Sequence, residues 1–86
     1  MQTPIINTNG DTAETLANQY WEALKAVRAA QRAVAEVHPN PRNFYPLGPD
    51  AYAAAVRENE ARLEKLEDIA QELSALCDFC FAATAN

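Results

Sequence analysis

The stretch that decides the fold is AYAAAVRENEARLEKLEDIAQELSALCDFC, from Ala51 to Cys80. It contains neither glycine nor proline, and mostly apolar residues return in it at alternating intervals of four and three. A repeat of this kind, sustained over about four heptads, is typical of a helix that packs along a coiled-coil seam. Its members are Tyr52, Val56, Asn59, Leu63, Leu66, Ala70, Leu73, Cys77 and Cys80.

A second, weaker seam with the same alternation precedes the first. Asp11 with Glu14 three residues later predicts a capping box at its start. The members of this seam are Ala13, Ala17, Tyr20, Leu24, Val27, Gln31 and Val34. Gly48 followed by Pro49 predicts the start of the other helix.

The sequence therefore predicts a single all-α domain folded as an antiparallel, coiled-coil-like two-helix hairpin. We expect helix 1 over residues 12–37, a proline-rich loop over 38–48 and helix 2 over 49–82. An extended strap over 1–11 and a short tail over 83–86 complete the chain.

Polar residues indicate how the two helices align. Folding the chain about the loop places Arg28 opposite Glu60, which predicts an ion pair between the helices. Gln31 and Asn59 are polar seam positions near one level of this hairpin. Buried polar residues at such positions often fix the register, so we expect that role for both.

Helix 2 is the longer helix, so we expect it to overhang helix 1 at the end away from the loop, by about 12 Å at ~1.5 Å per residue. The overhang would carry Cys77, Cys80 and the neighbouring phenylalanines. The strap would cover it with Ile5 and Ile6.

One flank of the hairpin predicts a further interface. It carries Leu16, Ala23, Ala30 and Val37 on helix 1 and Arg62, Ile69 and Leu76 on helix 2. Two helices alone would leave much of this flank exposed, and exposed contiguous apolar surface usually marks an interface. We expect a homodimer that forms a four-helix bundle. The interface candidates are Leu16, Tyr20, Trp21, Ile69, Leu76 and Phe79.

The loop between the helices contains Arg42, Phe44 and Tyr45 among several prolines. Prolines hold a backbone extended and stiff, so these three residues are candidates for recognition of a partner. The alternative is that the aromatic residues fold down and close the core. The two roles are compatible if one aromatic side chain faces the core and the other faces solvent.

The segment RNFYPLGPDAY and the charged helix after it resemble small phage- and prophage-encoded proteins of Gram-negative bacteria. The resemblance covers about half of the chain and implies a mobile-element origin and a helical hairpin, not an activity. The matching residues are Arg42, Asn43, Phe44, Tyr45, Gly48, Pro49, Ala51 and Tyr52.

The motif CDFC, from Cys77 to Cys80, raises the alternative of a metal or redox site. Structural zinc needs four ligands, so two cysteines would require a second copy of the chain. Redox CxxC motifs normally lie at a helix amino terminus, whereas this one lies near a carboxyl terminus. We expect packing cysteines and no cofactor.

Composition excludes several other classes. The net charge of −5 disfavours nucleic acid, whose binding depends on lysine and arginine, and anionic membrane surfaces for the same reason. No apolar run approaches the roughly 20 residues of a membrane span, and the start of the chain lacks signal-peptide features. We expect a protein of the bacterial cytoplasm.

No constellation of catalytic residues is present, and His38 has no serine, cysteine or acid at a motif spacing. We therefore expect a non-enzymatic protein-interaction module, namely a phage-encoded modulator or inhibitor of a host or defence protein. The alternatives are a metal- or redox-linked dimer using Cys77 and Cys80, and a structural subunit of a phage particle or larger complex.

Overall fold

Two antiparallel helices make up most of the molecule. The computed structural model describes residues 1–5 and 12–84. Helix α1 spans Ala13–Ala35 and helix α2 spans Ala51–Thr84, and the two pack along each other. The residues described form no strand. The prediction of an all-helical two-helix hairpin is confirmed.

Helix α1 begins with a side-chain cap. The hydroxyl of Thr12 accepts a hydrogen bond from the backbone N–H of Thr15 at 3.1 Å, which satisfies one of the unpaired donors of the first turn. The predicted cap, Asp11, lies outside the described residues. The helix ends at Ala35, two residues before the predicted boundary.

The connection from Glu36 to Asp50 is ordered by two short 3₁₀ turns, Pro41–Asn43 and Tyr45–Leu47. Gly48 then turns the chain into α2 with a φ of 106° and a ψ of 170°, a region that is essentially restricted to glycine. Helix α2 begins at Ala51, so Pro49 and Asp50 precede it rather than occupy its first turn.

The packing register differs from the predicted one. The thiol of Cys77 donates a hydrogen bond to the carbonyl of Ala17 at 3.6 Å, and the amide of Asn59 donates to the carbonyl of Val34 at 3.1 Å. These contacts bring Cys77 and Cys80 against the start of α1. The predicted overhang at that end is therefore wrong.

The overhang lies at the loop end instead. Since Asn59 is level with the end of α1, about nine residues of α2 extend beyond it, or about 13 Å of helix. The prediction that Ile5 covers the end of the hairpin is also wrong, because this side chain is 88% exposed. Ile6 lies outside the described residues.

The core is a narrow line of small side chains. Ala17, Ala70 and Cys80 are completely buried, and among the residues that the structure describes no larger side chain is. Alanine allows two helix backbones to approach closely but buries little apolar area. The result is an elongated molecule of 60 × 20 × 17 Å.

We expect Gly48→Ala to lower the free energy of unfolding by about 1–3 kcal/mol, because alanine at this φ and ψ is strained. A methyl group at this position would meet no atom within 4 Å, so the cost comes from the backbone and not from a clash. Urea denaturation followed by circular dichroism measures the change. Leu47→Ala, at the exposed neighbouring position, is the control, and equal stability of the two variants would contradict the assignment.

Candidate functional site

A cluster of polar side chains joins the two helices near their middle. The guanidinium of Arg28 forms an ion pair with the carboxylate of Glu67 and also donates to the amide oxygen of Gln31 at 2.8 Å. Gln31 in turn donates to Glu67 at 2.7 Å, and Gln71 donates to the other carboxylate oxygen at 3.1 Å. Glu67 thus accepts from three side chains, two of them on the opposite helix.

These hydrogen bonds change the acidity of Glu67. The amides of Gln31 and Gln71, followed by the guanidinium of Arg28, stabilise the charged carboxylate and lower its pKa to about 2. The carboxylate therefore remains ionised through most of the acidic range. An ion-paired state that persists in this way favours a fixed alignment of the helices.

The sequence predicted that Arg28 pairs with Glu60, and this is wrong. The partner is Glu67, one heptad further along α2. A displacement by seven residues keeps every side chain on the same helix face, so the heptad pattern alone does not distinguish the two alignments. The position of Glu67, seven residues after Glu60, is the signal in the sequence that could have indicated it as the alternative partner.

Asn59 acts at the end of α1. Its side-chain amide donates to the carbonyls of Val34 at 3.1 Å and Val37 at 3.5 Å. The carbonyl of Val34 also accepts from the backbone N–H of Val37 at 3.0 Å, so Asn59 supplies an additional donor to the end of α1 from the neighbouring helix. Asn59 and Gln31 do not lie at one level as expected, but each makes its own contact across the seam.

Both cysteines belong to the interior of the hairpin. Cys77 and Cys80 are buried against α1. Burial, followed by the charge of Asp78, raises the pKa of the Cys77 thiol, which disfavours the reactive thiolate. Within the described part of the chain, no three histidine, cysteine or acidic residues lie together as metal ligands would.

The apolar flank comprises Leu16, Ala23, Ala30 and Val37 on the side of α1 and Arg62, Ile69 and Leu76 on α2, and both Val37 and Arg62 are exposed. The expectation that Leu76 would be exposed is wrong, since only 9% of it is accessible. Leu16 is half-buried. Ile69 remains 45% exposed, with the exposed alanines Ala23 and Ala30 on the adjacent helix.

Aromatic residues are exposed on other sides of the hairpin. Trp21 is 46% exposed, and the ammonium of Lys25 lies 5.8 Å from the centre of its ring. Tyr20 is half-buried toward the seam. Phe79 and Phe81 are both exposed.

The loop divides its aromatic residues between two roles. Phe44 is half-buried and its ring centre lies 6.5 Å from that of Tyr52, whereas Tyr45 is 70% exposed. Arg42 is exposed, and its backbone N–H donates to the side chain of Asn40 at 3.0 Å. Phe44 thus packs on α2, and Arg42 and Tyr45 are presented outward.

Comparisons of the chain with protein-family models, with curated proteins and with solved structures yield no match. Neither α1 nor α2 combines the length and the apolar character that a bilayer-crossing helix requires.

We expect loss of the Asn59 amide to weaken the end of α1. Asn59→Ala removes this donor from the carbonyls of Val34 and Val37, which costs about 0.5–1.5 kcal/mol because the carbonyl of Val34 keeps its backbone partner. Asn59→Asp should cost more, since it places a carboxylate beside two carbonyl oxygens at the negative end of the helix. Urea denaturation of the three proteins near neutral pH gives the order of stability. Equal midpoints would show that this donor contributes nothing.

Acid should remove the contribution of Glu67. Because its folded-state pKa is lowered from about 4.5 to about 2, its stabilising effect is present above pH 4.5 and is lost as the pH falls toward 2. The stability difference between the wild type and Glu67→Gln should therefore shrink over this range. Glu64→Gln, with the same change of charge on the exposed surface of α2, is the control. Identical pH profiles for the two variants would refute the assignment.

Proposed function

We propose that this protein is a non-enzymatic interaction module that associates with itself and binds a bacterial protein. The proposal rests on one observation, the large surface that the hairpin leaves exposed. A compact monomer of 9.5 kDa exposes about 5,000 Å², whereas this chain exposes 6334 Å².

The accessible surface of this chain is thus about 1,300 Å² larger than expected for a compact monomer of its mass. Large apolar side chains, which proteins usually bury, contribute to this exposed surface. Part of this area comes from the elongated shape of the molecule, and a permanent homodimer interface, typically about 2,000 Å² or more in total, would cover the apolar part. Self-association into a four-helix bundle is the simplest way to cover such a surface.

Two exposed aromatic residues favour a second, foreign partner. Trp21 and Tyr45 lie on different parts of the molecule, one on α1 and the other on the loop. Tryptophan, tyrosine and arginine are the residues that most often anchor protein interfaces, and Arg42 lies near Tyr45 on the same exposed loop. A loop braced by Phe44 presents them with little loss of entropy on binding.

The resemblance of the loop and α2 to phage- and prophage-encoded proteins implies a mobile-element origin, and the small size and acidity of the chain fit a modulator or inhibitor of a host or defence protein in the bacterial cytoplasm. The net charge of −5 favours a partner with a basic surface, because opposite potentials increase the rate of encounter. A metal- or redox-linked dimer has less support, since both thiols are buried between the helices and a metal shared between copies requires accessible sulfur.

Affinity capture from a lysate of Gram-negative bacteria tests the foreign partner. We expect the wild type to retain a defined protein, and Trp21→Ala or Tyr45→Ala to reduce its retention about tenfold, as truncation of an interface anchor does. Leu47→Ala, an exposed loop position beside Tyr45, is the control and should retain it. Retention that is equal in all four proteins would contradict the assignment of these anchors.

A further inference from the structure

We infer that the second copy of this chain binds on the apolar flank, where Ile69 of each copy inserts between alanines of the partner's α1. This inference deepens the self-association proposed above and rests on it. The evidence is the surface of α1, the height of Ile69 along the hairpin and the symmetry of a dimer.

The side of α1 that borders the apolar flank carries a third heptad pattern. Its residues follow intervals of three and four, and none of them is charged over more than twenty residues of a chain with 22% charged residues. All of them except Leu16 are exposed. They are Leu16, Gln19, Ala23, Ala26, Ala30, Ala33 and Val37.

Three residues of this surface, together with the half-buried seam residue Val27 beside them, form the kind of hole that receives a side chain in coiled coils. Such a hole is made by residues at positions i, i+3, i+4 and i+7, which here are Ala23, Ala26, Val27 and Ala30. Three of the four are alanines, so the hole is wide enough for a branched side chain.

Ile69 has the matching height. The contact between Arg28 and Glu67 places these two residues level with each other. Ile69 is two residues after Glu67 and Ala26 is two residues before Arg28, and the helices run in opposite directions. Ile69 and Ala26 are therefore level, although on different helices of the hairpin.

In a dimer whose twofold axis runs parallel to the helices, the equal height of Ile69 and Ala26 brings them together across the interface. The axis places α1 of one copy against α2 of the other at unchanged height and in antiparallel orientation, so each Ile69 faces the partner's hole and the contact forms twice. A twofold axis perpendicular to the helices would oppose alanine to alanine, with no large side chain to fill the space. The arrangement of large against small favours the parallel axis.

Sedimentation equilibrium of paired variants tests the arrangement. The wild type should be a dimer at micromolar concentration. Ile69→Ala removes the inserted side chain and Ala26→Leu fills the hole, and each should raise the dimer Kd at least about tenfold. The double variant restores one large and one small residue at each contact and should recover most of the affinity.

Ala61→Leu is the matched control, since Ala61 is exposed and lies on the side of α2 away from α1; its Kd should equal that of the wild type. Circular dichroism verifies that each variant is folded. A dimer that is insensitive to Ile69→Ala and Ala26→Leu would overturn the assigned face and leave self-association intact. A monomeric wild type would overturn both, and the flank would then be assigned to a foreign partner. Neither result depends on capture of a bacterial protein.

Discussion

The contact of Arg28 and Gln31 with Glu67 determines how the two helices are aligned. The seam around it repeats every seven residues, with Leu24 and Val27 on α1 and Leu63, Leu66 and Ala70 on α2, so its pattern is also compatible with a shift of one heptad. Such a shift would separate the carboxylate of Glu67 from Arg28 and Gln31, its two donors on the opposite helix. The burial of Cys77 and the level of Ile69 both follow from this single alignment.

The helices and their faces were predictable from the sequence, but their alignment was not. Heptad spacing identifies Ala70, Cys77 and Cys80 as seam residues, and all three are buried. The same spacing assigns Glu60 and Glu67 to one face and does not choose between them. The choice depends on where the chain reverses, and the turns around Gly48 make the connection longer than the proline pattern indicates.

The exposure of the candidate interface residues was predicted correctly for some of them and wrongly for others. Ile69 and Trp21 are exposed as expected, whereas Leu76 is buried because the true register brings α1 alongside it. The orientation of Phe44 and Tyr45 depends on two 3₁₀ turns that no periodicity reveals. Residues whose exposure follows from helix geometry could be predicted, and residues whose exposure follows from tertiary alignment could not.

The overhang of α2 at the loop end separates two parts of the molecule. The segment from Glu36 to Asp50 contacts the first turns of α2. The ring of Phe44 packs near that of Tyr52, and the side-chain amide of Asn59 donates to the carbonyls of Val34 and Val37. The polar cluster lies more than one turn further along the hairpin. Sequence change at the exposed residues Arg42 and Tyr45 therefore leaves the helix alignment intact, so the surface of the loop can vary while the helical scaffold stays the same.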